Sequence, residues 1–158
     1  MDCDRVKIYR ITDFLTPLII MNNQVLKDAI YEDGVDCSIP DVVNEYWLGA
    51  SIDDRTFACF RFVSMSSATL QIHPMVLPEF RAEFAHLSTM YALKWCAESI
   101  VGLNTIVALI PKCHRNVILF ARHMKFKHVG DVPKSYRRKG ELIDTTIYSI
   151  SVDRIKSL

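Results

Sequence analysis

Two histidines stand where a proton could move. His73 ends the alternating run ATLQIH and is followed by Pro74. A neutral imidazole at such a strand end can accept a proton, directly or through water. It is equally an ordinary hydrogen-bonded turn residue. His114 opens an apolar helical segment, where it can cap the helix, lie exposed or touch a ligand. Its neighbour Cys113 does not make it a metal nucleus, because adjacent residues rarely reach one zinc with good geometry. No metal site is expected. The run KSYRRKG sets Tyr136 among basic residues, a pattern shared by single-strand nucleic-acid binders and solvated hairpin tips. Tyr148 falls in an alternating pattern and reads as core.

The elements that must position these groups follow from periodicity. RVKIYRI alternates and reads as a strand. Thr12 then caps a helix to about Tyr31, with Phe14, Leu15, Leu18, Ile19, Val25, Leu26 and Ile30 near one face. EYWLGASI and RTFACFRFVSM are strands joined by a tight hairpin at Asp53-Asp54. ATLQIH is the fourth strand. It should stop or splay at Pro74, which has no N–H for a ladder. A long helix spans about Arg81 to Ser99, with the stripe Phe84, Leu87, Tyr91 and Trp95 and the small fillers Ala85, Ser88 and Ala92. TIVALIP reads as a strand buried on both faces. A third helix, about His114 to Met124, turns Val117, Phe120, Ala121 and Met124 inward. A hairpin with its turn at RRKGE closes the chain. The fold class is α+β, in a single domain 1–158, with a mixed, mostly antiparallel sheet of roughly six or seven strands and helices on both faces.

Composition is that of a folded domain: 158 residues, 50% hydrophobic, 23% charged. No apolar run approaches the roughly 20 residues of a membrane span. Nothing at the start resembles a secretory signal. Five cysteines without CxxC spacing read as reduced thiols of a cytoplasmic protein. Residues 1–111 carry 8 Lys/Arg against 14 Asp/Glu, and residues 112–158 carry 11 against 4. The basic third can face an anion or pair with the acidic part of its own fold.

The order β-α-β-β-β-α-β-α-β-β, with QIHPMVLPEFRAEFAHL at its centre and RRKGELIDTTIYSIS at its end, resembles the GNAT (Gcn5-related) N-acetyltransferases, the RimL-like branch in particular. It is also similar to small GNAT-like proteins of tailed bacteriophages. The resemblance implies that acetyl-coenzyme A binds at the end of the fourth strand. Its pyrophosphate would sit on the backbone of Arg81, Ala82, Glu83, Phe84 and Ala85, at a helix N-terminus where the dipole favours an anion. A backbone N–H near Met75 or Val76 would stabilise the oxyanion. His73 would stand beside the meeting point of thioester and amine as the candidate catalytic base. His114 takes the place of the family's asparagine, with Asn116 two residues later; both are expected at the cofactor. Lys134, Arg137 or Lys139 could reach a coenzyme A phosphate.

The chain departs from the family's Gln/Arg-x-x-Gly-x-Gly/Ala loop. Ala82 and Phe84 stand at the small positions, and Glu79 and Glu83 flank an anion site. Ala121 stands where many members have a proton-donating tyrosine, and Lys125 where they have glycine. The function implied is an acetyl-coenzyme A-dependent N-acetyltransferase of unread acceptor amine. The alternative is a non-catalytic phage protein of this fold, binding a protein partner in virion head assembly or DNA ejection. In that case it would lie in host cytoplasm or virion. Neither a membrane nor a nucleic-acid partner is expected.

Overall fold

A computed structural model describes residues 5–30, 32–33 and 39–158, with the side chains of 28–30 left aside. One seven-stranded sheet runs in the order β1-β2-β3-β4-β5-β7-β6. β1 (Lys7–Arg10), β2 (Tyr46–Ile52), β3 (Arg55–Ser66) and β4 (Thr69–Val76) form an antiparallel meander. Asp53 and Asp54 turn β2 into β3 with φ of 47° and 61°. Two left-handed residues in a two-residue turn match the twist of the flanking strands. Aspartate tolerates that region because its short side chain can bond locally. Lys139 and Gly140 do the same, with φ of 52° and 81°, between β6 (Lys127–Arg138) and β7 (Glu141–Ser151).

Helix α3 (Arg81–Ser99) leads from β4 to β5 (Thr105–Pro111), which lies parallel to β4 with Leu70 opposite Ile106 and Gln71 opposite Val107. α4 (Arg115–His123) follows β5, and α5 (Val152–Lys156) ends the chain. The mixed sheet with helices on both faces is the expected fold class. Its α3 face buries Leu48, Phe57, Phe60, Phe62, Ile106, Tyr148 and Ile150 under α3, α4 and α5. The opposite face buries Trp47, Cys59 and Met75 under α1 (Leu15–Met21) and α2 (Gln24–Ile30).

Five local expectations need correction. The first long helix is two helices. The α1 N-terminus is capped from Asp13, whose Oδ1 accepts from Thr16 N at 2.7 Å, rather than from Thr12. α2 restarts at Asn23, whose Oδ1 accepts from Val25 N and Leu26 N at 3.1 and 3.3 Å. An asparagine satisfying two helix-start donors stabilises a new start over continuation. Tyr31, the expected end, lies outside the described residues. Secondly, β4 does not stop at Pro74: it stays paired with β3 to Val76 and splays only from β5, where pairing ends at Gln71. Leu77 N donates to Phe57 O at 2.9 Å, so odd-numbered N–H groups point to β3 and the missing N–H of Pro74 falls on the other edge.

Thirdly, the deepest seam of α3 is Ser88, Thr89, Ala92, Leu93 and Cys96, with Phe84, Leu87, Tyr91 and Trp95 half-buried at its margins. Small residues let the helix approach the sheet, and the aromatics then cover the flanks. Fourthly, Val117 is 42% exposed and Ile118 takes its place, while Phe120, Ala121 and Met124 face the core as expected. Lastly, β5 is fully buried on one face only, with Leu109 37% exposed on the other. A further short helix, α5, is capped by Ser151 Oγ, which accepts from Arg154 N at 3.3 Å. Cys59 and Cys96 are buried free thiols and Cys113 an exposed one; Cys3 and Cys37 lie outside the described residues. Among the described residues no helix is long and apolar enough to cross a membrane.

Gly49 has a sharp packing reason. Opposite it on β1 lies Tyr9, held by a 2.5 Å hydrogen bond between its hydroxyl and Thr56 Oγ1. A Cβ on Gly49 would collide with the Tyr9 ring at Cζ. Gly49→Ala is therefore expected to cost about 1–3 kcal/mol, the usual range for overpacking. Urea unfolding should show a lower midpoint with an unchanged slope.

Candidate functional site

The pairing of β4 with β5 ends at Gln71 and Val107, although β4 runs to Val76 and β5 to Pro111. The strands diverge over that length and open a gap in the sheet. Even-numbered residues of β4 turn their backbone polar groups into it, by the alternation set at Leu77. These groups include the carbonyls of Pro74 and Val76 and the N–H of Val76. The N–H of Met75 belongs to the β3 ladder, and its side chain is buried at 3% exposure on the α1 face.

Arg81 folds back to the mouth of this gap, its Nε donating to Val76 O at 3.0 Å. Its guanidinium lies at the start of α3, where an anion is favoured. Between β4 and α3 a tight turn, Pro78–Phe80, takes up two N–H groups: Phe80 N donates to Leu77 O and Arg81 N to Pro78 O. Ala82 and Glu83 follow, both exposed. Glu79 is offset by Arg55, whose Nη2 lies 3.0 Å from its Oε1. The Phe84 ring turns inward, 5.6 Å from Phe57, while Phe80 stacks on Phe57 at 5.0 Å. Ala85 packs beside them against the core. The three aromatics pin the first turn of α3 to the start of β3, beside the end of β4, and the Phe84 side chain leaves the helix start open.

His73 pairs with Arg61 across β3 and β4. Burial, with Arg61 adding to it against Glu45, lowers its pKa from 6.5 to about 4. The imidazole is neutral at neutral pH, and a weak base. Arg61 grips Glu45 through Nε and Nη2, at 2.7 and 2.5 Å, and Glu45 also accepts from Trp47 Nε1 at 3.1 Å. The sequence signal for this pair is Arg61, the one charged residue in the apolar run TFACFRFV.

On the β5 side, His114 precedes α4 without a side-chain cap. Its ring nitrogens lie 3.0 and 3.3 Å from Arg138 Nη1, and Tyr136 meets the ring edge-on at 6.1 Å. Burial, then Arg138, holds its pKa below the ordinary value. Asn116 is exposed in the first turn of α4. Ala121 faces the core. Lys125 has φ of 67°, and the next residue, Phe126, donates N–H to Ala121 O at 3.0 Å, which closes α4. Beyond α2, Glu32 and Asp33 strap onto the far hairpin: Asp33 N donates to Arg137 O, Glu32 Oε1 accepts from Arg137 N, and Asp33 Oδ2 accepts from Gly140 N.

These residues fit a thioester arm lying in the gap, against the Pro74 carbonyl and the Val76 N–H. For the anion they offer the exposed start of α3 and the Arg81 guanidinium in place of a glycine loop.

Residues 20–158 match a family described as "Protein of unknown function (DUF2824)". No curated protein sequence matches the chain. Among solved structures, the chain is similar to the Vibrio cholerae spermidine N-acetyltransferase in complex with CoA and spermine. The match has a TM-score of 0.81 and 12% identity over 97% of this chain and 99% of that one. It is also similar to a protein of Acinetobacter baylyi described as a candidate acetyltransferase, with a TM-score of 0.77 and 15% identity over 94% and 93%. At these identities the likeness concerns the fold, which is GNAT-like.

Three outcomes follow from the geometry. A histidine with a depressed folded pKa contributes stability above its unfolded pKa and loses it as pH falls. For His73 the window runs from pH 6.5 down to about 4. Wild type should lose up to about 3 kcal/mol relative to His73→Gln over that window, read by chemical denaturation at each pH. Phe84→Ala should cost about 2–3 kcal/mol, below the value for full burial. Lys125→Gly should raise stability by roughly 1 kcal/mol, because it relieves a left-handed residue.

Proposed function

The chain belongs to the DUF2824 family, of unknown function, and for it we propose transfer of an acyl group from acyl-coenzyme A, acetyl-coenzyme A first, to a primary amine. The observation that carries this reading is the divergence of β4 from β5, with the Val76 N–H turned into the gap. The neighbour that binds CoA and spermine supports the choice of donor. When bound, the cofactor supplies an activated thioester.

The residues of the chain do the rest. The Val76 N–H donates toward the carbonyl oxygen as charge develops on it, and a buried donor aimed at that position is worth several kcal/mol. The Pro74 carbonyl orients the thioester arm. Arg81 holds the anionic end together with the N-terminus of α3. His73, at a pKa of about 4, positions the amine or a water more than it removes the amine's proton. The amine therefore reacts from its neutral form. As the C–S bond breaks, the proton the amine loses passes through water to the departing thiolate of coenzyme A, so the rate should rise with pH toward the pKa of the amine. His114 and Asn116 line the β5 side.

One observation favours the second reading, a non-catalytic binding protein of this fold such as one serving virion assembly. The Pro78–Phe80 turn consumes N–H groups of Phe80 and Arg81 at the start of the anion seat. Titration calorimetry separates the two readings. The proposal expects acetyl-coenzyme A to bind, with Arg81→Ala weakening binding by about 1–3 kcal/mol. Absence of binding at millimolar ligand would remove the enzyme reading and leave the second.

A further inference from the structure

Away from the gap, α3 and α4 enclose a cavity of about 180 Å³ lined by His86, Met90, His123, Met124, Lys125 and Leu158. His86 and His123 come from different helices. Their rings meet edge-on, with centroids 5.0 Å apart and planes at 64°. We propose that this cavity binds a soft monovalent metal ion, Cu(I) or Ag(I), through the His86 and His123 imidazoles and the Met90 and Met124 thioethers.

Two imidazoles on one tetrahedral metal, each nitrogen about 2.0–2.1 Å from it, have centroids roughly 5 Å apart. The observed separation matches that span, and rotation of one ring out of its edge-on contact would turn both imidazoles toward a shared ion. The donor set decides which ion. Thioethers select soft metals, whereas carboxylates and carbonyls suit hard ones. Among the described residues no group of three or more His, Cys, Asp and Glu is placed to hold a metal, so a hard or zinc-type site has no basis here. Lys125 beside the pair repels a divalent ion twice as strongly as a monovalent one. Met124 is 2% exposed and brings its thioether from the core.

The site shares no residue with the proposed acyl-transfer machinery. Its effect would be mechanical. α3 and α4 both start at the mouth of the β4–β5 gap, and an ion bridging His86 to His123 ties one helix to the other.

The test uses the full chain with Cys3→Ser, Cys37→Ser and Cys113→Ser, so that these thiols do not compete. Ag(I) is titrated under native mass spectrometry and followed by the methionine methyl resonances. The site predicts one ion per chain, shifts at Met90 and Met124, and weaker binding of Zn(II). His86→Ala should weaken Ag(I) binding by more than the about 10–100-fold that loss of an outer-shell partner costs. Met90→Leu, which keeps the packing volume, should also weaken it. Absence of a 1:1 complex, unchanged affinity in His86→Ala, or shifts confined to other methionines would overturn the proposal.

Discussion

Three residue pairs, from Thr69–Thr105 to Gln71–Val107, hold the two halves of the sheet together. Everything functional depends on how short that parallel seam is. Were it longer, β4 would spend its outer edge on β5 and no backbone group would face a ligand. The break costs little, because Pro74 has no N–H to leave unsatisfied on that edge and Arg81 takes the Val76 carbonyl. The α3 face of the core spans both halves, from Leu48 and Phe60 to Tyr148 and Ile150, so packing under α3 supplies the cohesion that the seam lacks.

The same physics sets the chemistry of the mouth. The aromatic contacts of Phe57, Phe80 and Phe84 anchor the start of α3 beside the end of β4. That brings a helix N-terminus and a guanidinium to the gap without a glycine loop. The charge near His73 is internally compensated, since Arg61 and Glu45 grip one another. What remains around that imidazole is burial, and burial keeps it neutral.

Much of this was legible in the sequence because each signal was local. Alternation found the strands, and Asp53-Asp54 and Lys139-Gly140 marked the turns. The apolar TIVALIP run found the strand beside β4. Cases in which one local signal competed with another were harder to read. Asn22-Asn23 interrupts a helical pattern without a proline or glycine, so the break between α1 and α2 depends on a side-chain cap. Pro74 signals a strand end, but the partnered edge of β4 does not need its N–H. Lys125 hides a left-handed position that glycine would have advertised. In the site, element order alone assigns His73 to β4, Arg81 to the start of α3 and His114 to the residue before α4. The Arg61–Glu45 pair and the Arg138–His114 contact needed the register of distant strands, which a single sequence does not carry.

The central claim is that the free edge of β4 receives a thioester arm and the start of α3 receives its anion. The most direct measurement is an amide chemical-shift titration of nitrogen-15-labelled protein with coenzyme A. The account predicts that the amides of Val76, Ala82 and Glu83 move together and saturate along one curve, while Met75, locked to β3, moves little. No shift at Val76, or shifts confined to residues outside the gap, would contradict it.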